Sequence, residues 1–395
     1  MIGSIENNGT SRITNVIVTI EFGRELIGMG LRNSVFNFLG NLDPGEKADF
    51  NSDFSYYEPL TEYDIKVECN DTISAQPSPV PTPEIFFTNL WPKNDVITLV
   101  IDPTAPTTLY AGTETQGVFK SIDGGFNWVP SNTGLINLRI VSLAIDPIQP
   151  STLYAGTFGT DGTNGAAYKS IDNGENWFQI TNGMDGAYVT SILIDPVTPS
   201  TIYAGTSNGV FKSSNSGEEW TQLDTGSTDS YIIHMAIDPI TPTNLFAVDF
   251  GTPNRGLIKS SNGGNNWSDI NVGSWDTEIL RLAIDPQTPS TLYAGTWVGV
   301  FKSTDAGENW NEINTGLGDY AIIDVLIVNP INPSTLYASK RDSDIYKSID
   351  GGENWYPLHS NIGISYIFTL ALDPENPKIL YAATENGVFV LDQRP

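Results

Sequence analysis

Apolar residues along most of this chain come in runs of five or six, set apart by turn formers, and few stretches favour a helix. "VSLAID" is almost wholly apolar, as expected of a strand covered on both faces; "STLYAGT" and "GVFKS" read as a second and a third strand, and a tryptophan opens a fourth. "DPxxP" separates the first two: Asp bonds its own backbone and Pro presets φ, so a tight turn is predicted. The order then repeats. The phrase "IDPxxPxTLYAGT" places its aspartate at Asp102, Asp146, Asp195, Asp238, Asp285 and Asp373, with Asn329 in the remaining slot, making seven copies spaced 43 to 49 residues apart. Six are followed by S-x-D-x-G-x-x-W, ending at Trp128, Trp177, Trp220, Trp267, Trp310 and Trp355. The seventh ends in "GVFVLDQRP" without it.

Four short strands at this period predict an all-β, seven-bladed β-propeller over residues 84–395. The last blade lacks its outer strand. The stretch "EIFFTNLW" (84–91) is expected to supply it, which removes an open sheet edge by joining the two ends of the domain. Residues 1–73 follow another pattern: "RITNVIVTIEF", "VFNFLGNLDPGEKADF" and "YDIKVECND" are alternating strands with a Pro-Gly turn. Prolines at 77, 79, 81 and 83 make 74–83 an extended, semi-rigid spacer.

Composition narrows the chemistry. The formal net charge is −27, with 46 acidic against 19 basic residues, which argues against nucleic acid or an anionic membrane surface as partner. No apolar run reaches membrane-spanning length, so no membrane insertion is expected, and "MIGSIENNGTS" is not a signal peptide. A single cysteine, Cys69, allows no internal disulfide. The only histidines, His234 and His359, lie in different repeats, so histidine catalysis and His-rich metal sites are not expected, and neither is any cofactor.

The S-x-D-x-G-x-x-W phrase resembles the Asp-box, or BNR repeat, of sialidases, sortilin-type receptors, xyloglucanases and photosystem II assembly factors. The resemblance covers roughly residues 97–392 and implies a fold more than a function. In that family the box is a turn at the blade periphery, which the physics supports: Ser and Asp oxygens accept turn N–H groups, Gly supplies positive φ, and Trp packs between blades. Asp123, Asp172, Asp305 and Asp350 are therefore read as structural, with Asn215 and Asn262 in the same role; the Asn boxes bring no carboxylate for a cation, and no metal is expected. "NVIVTIEF" and "LDPGEKADF" in turn resemble a small Ig-like sandwich of the FxLYD or CARDB type, implying such a domain over 1–73.

Loop lengths single out one face. From box Trp to the next turn Asp the distance is 18 residues in five cases and 19 before Asn329, whereas from turn Asp to box Trp it runs from 25 to 31. The variation sits between second and third strands, where "FGTDGTNGAA" and "DFGTPNRG" are inserted, on the face where the chain enters the innermost strands. Tyr188, Tyr231 and Tyr366 lie 11 residues after a box Trp and Tyr320 lies 10 after, placing all four near the channel mouth; Trp275 and Trp297 fall in loops of that face. These six are the candidate binding residues for a glycan or an extended peptide, with packing between blades as the alternative reading.

An enzyme is not expected. The sialidase Arg-Ile-Pro signature is absent, "LRIVSL" at Arg139 coming nearest, and Arg139, Arg255, Arg281 and Arg341 fall at unmatched blade positions. Xyloglucanases use two such propellers and paired aspartates, against one here. The reading favoured by these features is a non-catalytic, extracellular, bacterial structural protein that self-assembles with copies of itself through its N-terminal domain and spacer into a fibre. The alternatives are a glycan- or peptide-binding propeller of adhesin type, and an assembly-factor or glycoside-hydrolase-like propeller. Asn8, Asn70, Ser78 and Thr82 are candidate glycosylation positions that would suit such a fibre, and a further sequon at Asn266 adjoins box Trp267.

Overall fold

The computed structural model describes residues 95–393 except 160–163, 185, 228, 252–255, 274–277, 319–320, 342–343 and 360–365; before residue 95 it describes only the backbone of six strands. The chain divides into two units, Met1–Thr82 and Pro83–Pro395. In the first, Ile2–Glu6 pairs antiparallel with Lys47–Asn51, and Ile17–Phe22 runs between Ser34–Asn37 and Tyr63–Glu68. The sandwich packing expected of these sheets, the 74–83 spacer, Cys69 and the candidate glycosylation positions Asn8, Asn70, Ser78 and Thr82 lie outside the described residues.

The second unit is a seven-bladed β-propeller of four-stranded antiparallel sheets. The inner strands of blades 1 to 7 are Val96–Ile101, Ile140–Ile145, Val189–Ile194, Ile232–Ile237, Ile279–Ile284, Ile323–Val328 and Ile367–Leu372, each beside the next and the last beside the first. Second strands such as Leu153–Thr157 are buried at every residue, because neighbouring blades cover both of their faces. That is why the phrase "LYAGT" shows no alternation. In blade 7, Asn89 and Thr88 pair with Phe389 and Val390, so a strand from before the first blade completes the last. Two residues of the expected 84–91 stretch make this pairing.

In all seven blades the register between inner and second strand slips at the inner strand's second residue. A bulge of this kind turns two successive side chains to one side. At the third position of the inner strands, Thr98, Ser191, His234, Arg281 and Thr369 are part-exposed, whereas Ser142 and Val325 are buried. His234 and Arg281 are part-exposed although blades enclose them on both sides, so the channel is the route by which solvent reaches them.

The opposite face is held by a repeated latch. In blades 1 to 6 a lysine near the end of the third strand lies over the aromatic ring of the second strand, as Lys120 does over Tyr110 at 5.6 Å and Lys302 over Tyr293 at 5.7 Å. Its ammonium donates to a carbonyl of the next blade's Ser-Asp turn: Lys120 to Asn173, Lys169 to Ser216, Lys212 to Gly263, Lys259 to Ala306 and Lys302 to Gly351. Blade 7 has no such turn. Gln393 takes its place, its Oε1 accepting from Lys347 at 2.7 Å and its amide donating to Tyr337 Oη at 3.1 Å.

The box tryptophans do not all bridge blades as expected. Trp177, Trp220 and Trp355 donate from Nε1 to the preceding blade, at the carbonyls of Ser131, Ile180 and Ile313. Trp267 and Trp310 instead donate within their own turns, to Gly264 and Gly307. The bridging form needs a glycine at close approach: a Cβ on Gly134, Gly183 or Gly316 would lie 2.0 to 2.3 Å from the Trp carbonyl, whereas Gly226, before Trp267, meets nothing within 4 Å.

Candidate binding site at the channel mouth

Each Ser-Asp turn closes on its own bonds. In the Asp350 turn, Ser348 Oγ donates to Asp350 Oδ1 and accepts from Gly352 N at 2.9 Å, and the Asn354 backbone and side chain donate to the two carboxylate oxygens. Asp123, Asp172 and Asp305 are placed alike. Asn215 and Asn262 accept the backbone donors of Glu219 and Asn266 through Oδ1. These turns bond to the "DPxxP" turns, as Asn173 N does to Ser151 O, so the two lie together on the latch face. Among the described residues no three His, Cys, Asp or Glu side chains converge as metal ligands.

The opposite face is where functional side chains gather. In every blade the residue after the second strand donates its N–H to the carbonyl of the residue before the inner strand: Glu114 to Asp95, Phe158 to Arg139, Ser207 to Tyr188, Phe250 to Tyr231, Trp297 to Glu278, Arg341 to Ile322 and Glu385 to Tyr366. The fold thus sets two rings of seven side-chain positions around the mouth. Tyr188, Tyr231 and Tyr366 occupy the first ring and Trp297 the second; Trp275 and Tyr320 lie outside the described residues, as does Arg255.

Two clusters form on these rings. In blades 2 to 4, Phe158 stacks on Tyr188 with ring centroids 4.3 Å apart, and the Arg139 guanidinium lies over Phe158 at 4.5 Å. Arg139 Nε is 2.8 Å from Glu114 Oε1, a charge contact out of line for a hydrogen bond. Tyr231 completes the cluster: burial pushes its hydroxyl pKa up and the Arg139 charge opposes this. Asp249, buried at the end of a second strand, fixes Tyr231 by accepting its backbone N–H at 2.8 Å.

In blades 5 to 7, Arg341 grips Asp324 through Nε at 3.1 Å and Nη2 at 2.9 Å while lying over the Trp297 ring at 5.5 Å. Trp297 is 43 % exposed, a flat apolar surface open to ligand. Tyr366 also hydrogen-bonds Asp324; burial, then the Asp324 charge, push its pKa up. Below them Arg281 and His234 occupy the third position of adjacent inner strands, where the other blades carry Thr98, Ser142, Ser191, Val325 and Thr369. Burial, then the Arg281 charge, push His234 down to about 3, so it is neutral at physiological pH.

The arginines dismissed for unmatched repeat positions therefore do reach one face: Arg139 in the first ring, Arg341 in the second and Arg281 in the channel. The signal that would have found Arg281 and His234 is a column of small Ser, Thr and Val residues interrupted in two neighbouring blades by larger, basic side chains.

No protein-family model matches the chain. No curated protein matches it. Solved structures do match in fold. The GH74 xyloglucanase from Xanthomonas campestris is 16 % identical with a TM-score of 0.65, and the GH74 enzyme of Niastella koreensis is 21 % identical with a TM-score of 0.66; each match covers 78 % of this chain. This chain spans about half the length of both, 54 % of each. YCF48 bound to D1 peptide is 15 % identical with a TM-score of 0.60, covering 79 % of this chain and 96 % of that one.

Two of these neighbours are glycoside hydrolases, which corrects the expectation that this chain is not an enzyme. That expectation rested on missing sialidase arginines and on there being a single propeller. The first argument removes one chemistry only. The second fails because the shared part is itself only about half of those hydrolases.

Proposed function

We propose that this propeller acts outside the cell and binds an extended, largely neutral carbohydrate across its channel mouth. The observation that carries the reading is the pair of aromatic–guanidinium clusters on the two halves of the rings, Phe158–Tyr188–Arg139 and Trp297–Arg341–Tyr366. The C–H face of a sugar ring packs on an exposed aromatic, while guanidinium and carboxylate groups beside it take hydroxyls. A neutral polymer also escapes the repulsion that a chain of net charge −27 exerts on polyanions. Support for the class comes from the neighbour named a xyloglucanase, and for the location from a neighbouring extracellular domain of B. thetaiotaomicron, with TM-score 0.61 and 16 % identity.

Calorimetric titration of the full chain with neutral β-glucan, xylan and xyloglucan oligosaccharides tests this. Trp297→Ala and Tyr188→Ala are each expected to weaken binding at least about tenfold, equivalent to about 1.4 kcal/mol. Chromatography of the same mixtures after incubation reads out cleavage. Should no oligosaccharide bind while an extended peptide does, the peptide reading, which the peptide-bound neighbour favours, replaces this one.

A further inference from the structure

We propose that the channel beneath Trp297 holds a carboxylate-binding subsite built on Arg281 and His234, and that its occupant is an isolated uronic acid residue of an otherwise neutral glycan. This rests on the carbohydrate reading above and specifies it.

The subsite follows from a charge left over when its neighbours have been paired. Asp324 is the carboxylate next to Arg281, but it is committed to two bonds from Arg341 and one from Tyr366. The hydrogen bond described for the Arg281 side chain runs from Nη1 to the carbonyl of its own neighbour, Leu280, at 2.8 Å. A guanidinium has five N–H donors, so most of its fork is left for something else. Beside it, His234 Nδ1 is buried without a hydrogen-bond partner. Burial is the largest influence on both groups, acting against the charged form of each. A buried polar atom without a partner is costly, and so is a buried charge whose nearest carboxylate is already bonded elsewhere; the fold here carries both, at the same position of adjacent inner strands. Arg139 makes the contrast, since Glu114 already stands 2.8 Å from it.

The ligand class follows from geometry and charge. A planar guanidinium fork matches a planar carboxylate through two parallel bonds, and the imidazole nitrogen can add a third. One arginine with a neutral histidine offsets a single negative charge, not a phosphate's second. The net charge of −27 disfavours a polymer with a carboxylate on every sugar. At physiological ionic strength, screening beyond about 8 Å leaves a single buried contact largely unaffected. A sparse uronate whose ring packs under Trp297 and Tyr366 meets all these conditions.

The experiment is titration of the full chain with matched oligosaccharides: a neutral xylo-oligosaccharide and the same backbone bearing one glucuronic acid. The acidic member is expected to bind at least about tenfold tighter, and Arg281→Gln to erase the difference between the two. A methyl-esterified form of the acidic ligand guards against a variant that fails to fold: with its carboxyl uncharged, it should bind the wild-type protein no tighter than the neutral ligand does. Equal affinity for the two wild-type ligands overturns the uronate subsite while the carbohydrate reading stands. Absence of binding by either overturns both. Binding of a peptide through its terminal carboxylate, lost in Arg281→Gln and unmatched by any sugar, overturns the uronate assignment and moves the site to a peptide.

Discussion

At the scale of single residues, the Ser-Asp turns make the propeller sensitive to acid in an uneven way. Hydrogen bonds from Asn127, Asn176 and Asn309 hold Asp123, Asp172 and Asp305 below the usual carboxylate range, Asp305 at about 2; in Asp350 the Asn354 bonds do the same against the effect of burial. A carboxyl with a lowered folded pKa contributes stability that is complete above its unfolded value of about 3.9 and is lost as pH falls through the folded one. Stability should therefore drop between about pH 4 and about pH 2. Asp305→Asn, which copies what Asn215 and Asn262 already do, should make that drop shallower; thermal melts from pH 7 to pH 2 check it, and an unchanged slope sinks the account. Ser348, fully buried and shared by three bonds of its turn, should cost about 1–3 kcal/mol when changed to Ala, read by denaturant melts at neutral pH. These turns were legible in the sequence because each is built from residues within a few positions of one another. Arg341 on Asp324 was not, because the two stand 17 residues apart and meet only through the pairing of blade 6's inner and second strands.

At the scale of elements, the same turn shows where its local chemistry is imperfect. Asn173, Ser216 and Ala306 sit at φ 59°, the place that Gly124, Gly263 and Gly351 fill in other blades. Asparagine tolerates this conformation; alanine does not, so Ala306→Gly should stabilise blade 5 by about 0.5–1 kcal/mol, seen as a raised melting temperature. The inter-blade element is the opposite case. Gly316 has φ 97° and stands where a Cβ would lie 2.0 Å from the Trp355 carbonyl oxygen, so Gly316→Ala should cost at least about 2 kcal/mol. If that variant melts as wild type does, the bridging role of Trp355 is wrong. Strand order and blade count could be read from the repeat because each unit is a local four-stranded meander. Which tryptophans bridge could not be, since that depends on the path of the preceding blade's outer strand.

At the scale of the whole molecule, the ring is closed by Thr88–Asn89 on the third strand of blade 7, and Gln393 fastens blade 7 to blade 6 through Lys347 and Tyr337. Gln393→Ala leaves a buried hydroxyl and a half-buried ammonium short of a partner, and should destabilise by about 1–3 kcal/mol without changing the fold seen by circular dichroism. Self-association through the first 83 residues, expected from the extended spacer, is checked by sedimentation of the full chain against residues 84–395; equal association by both would remove those residues as the connector. The latch has a further consequence, for the order in which the molecule comes apart. Six junctions carry a lysine reaching into the next blade, but at the junction from blade 7 to blade 1 the equivalent residue is Val390, which can donate nothing. A circular array with one differently fastened joint has a preferred place to breathe. Hydrogen exchange under native conditions should find the amides of blade 7's outer two strands exchanging well ahead of their counterparts in blade 3, and a Val390→Lys variant should slow them.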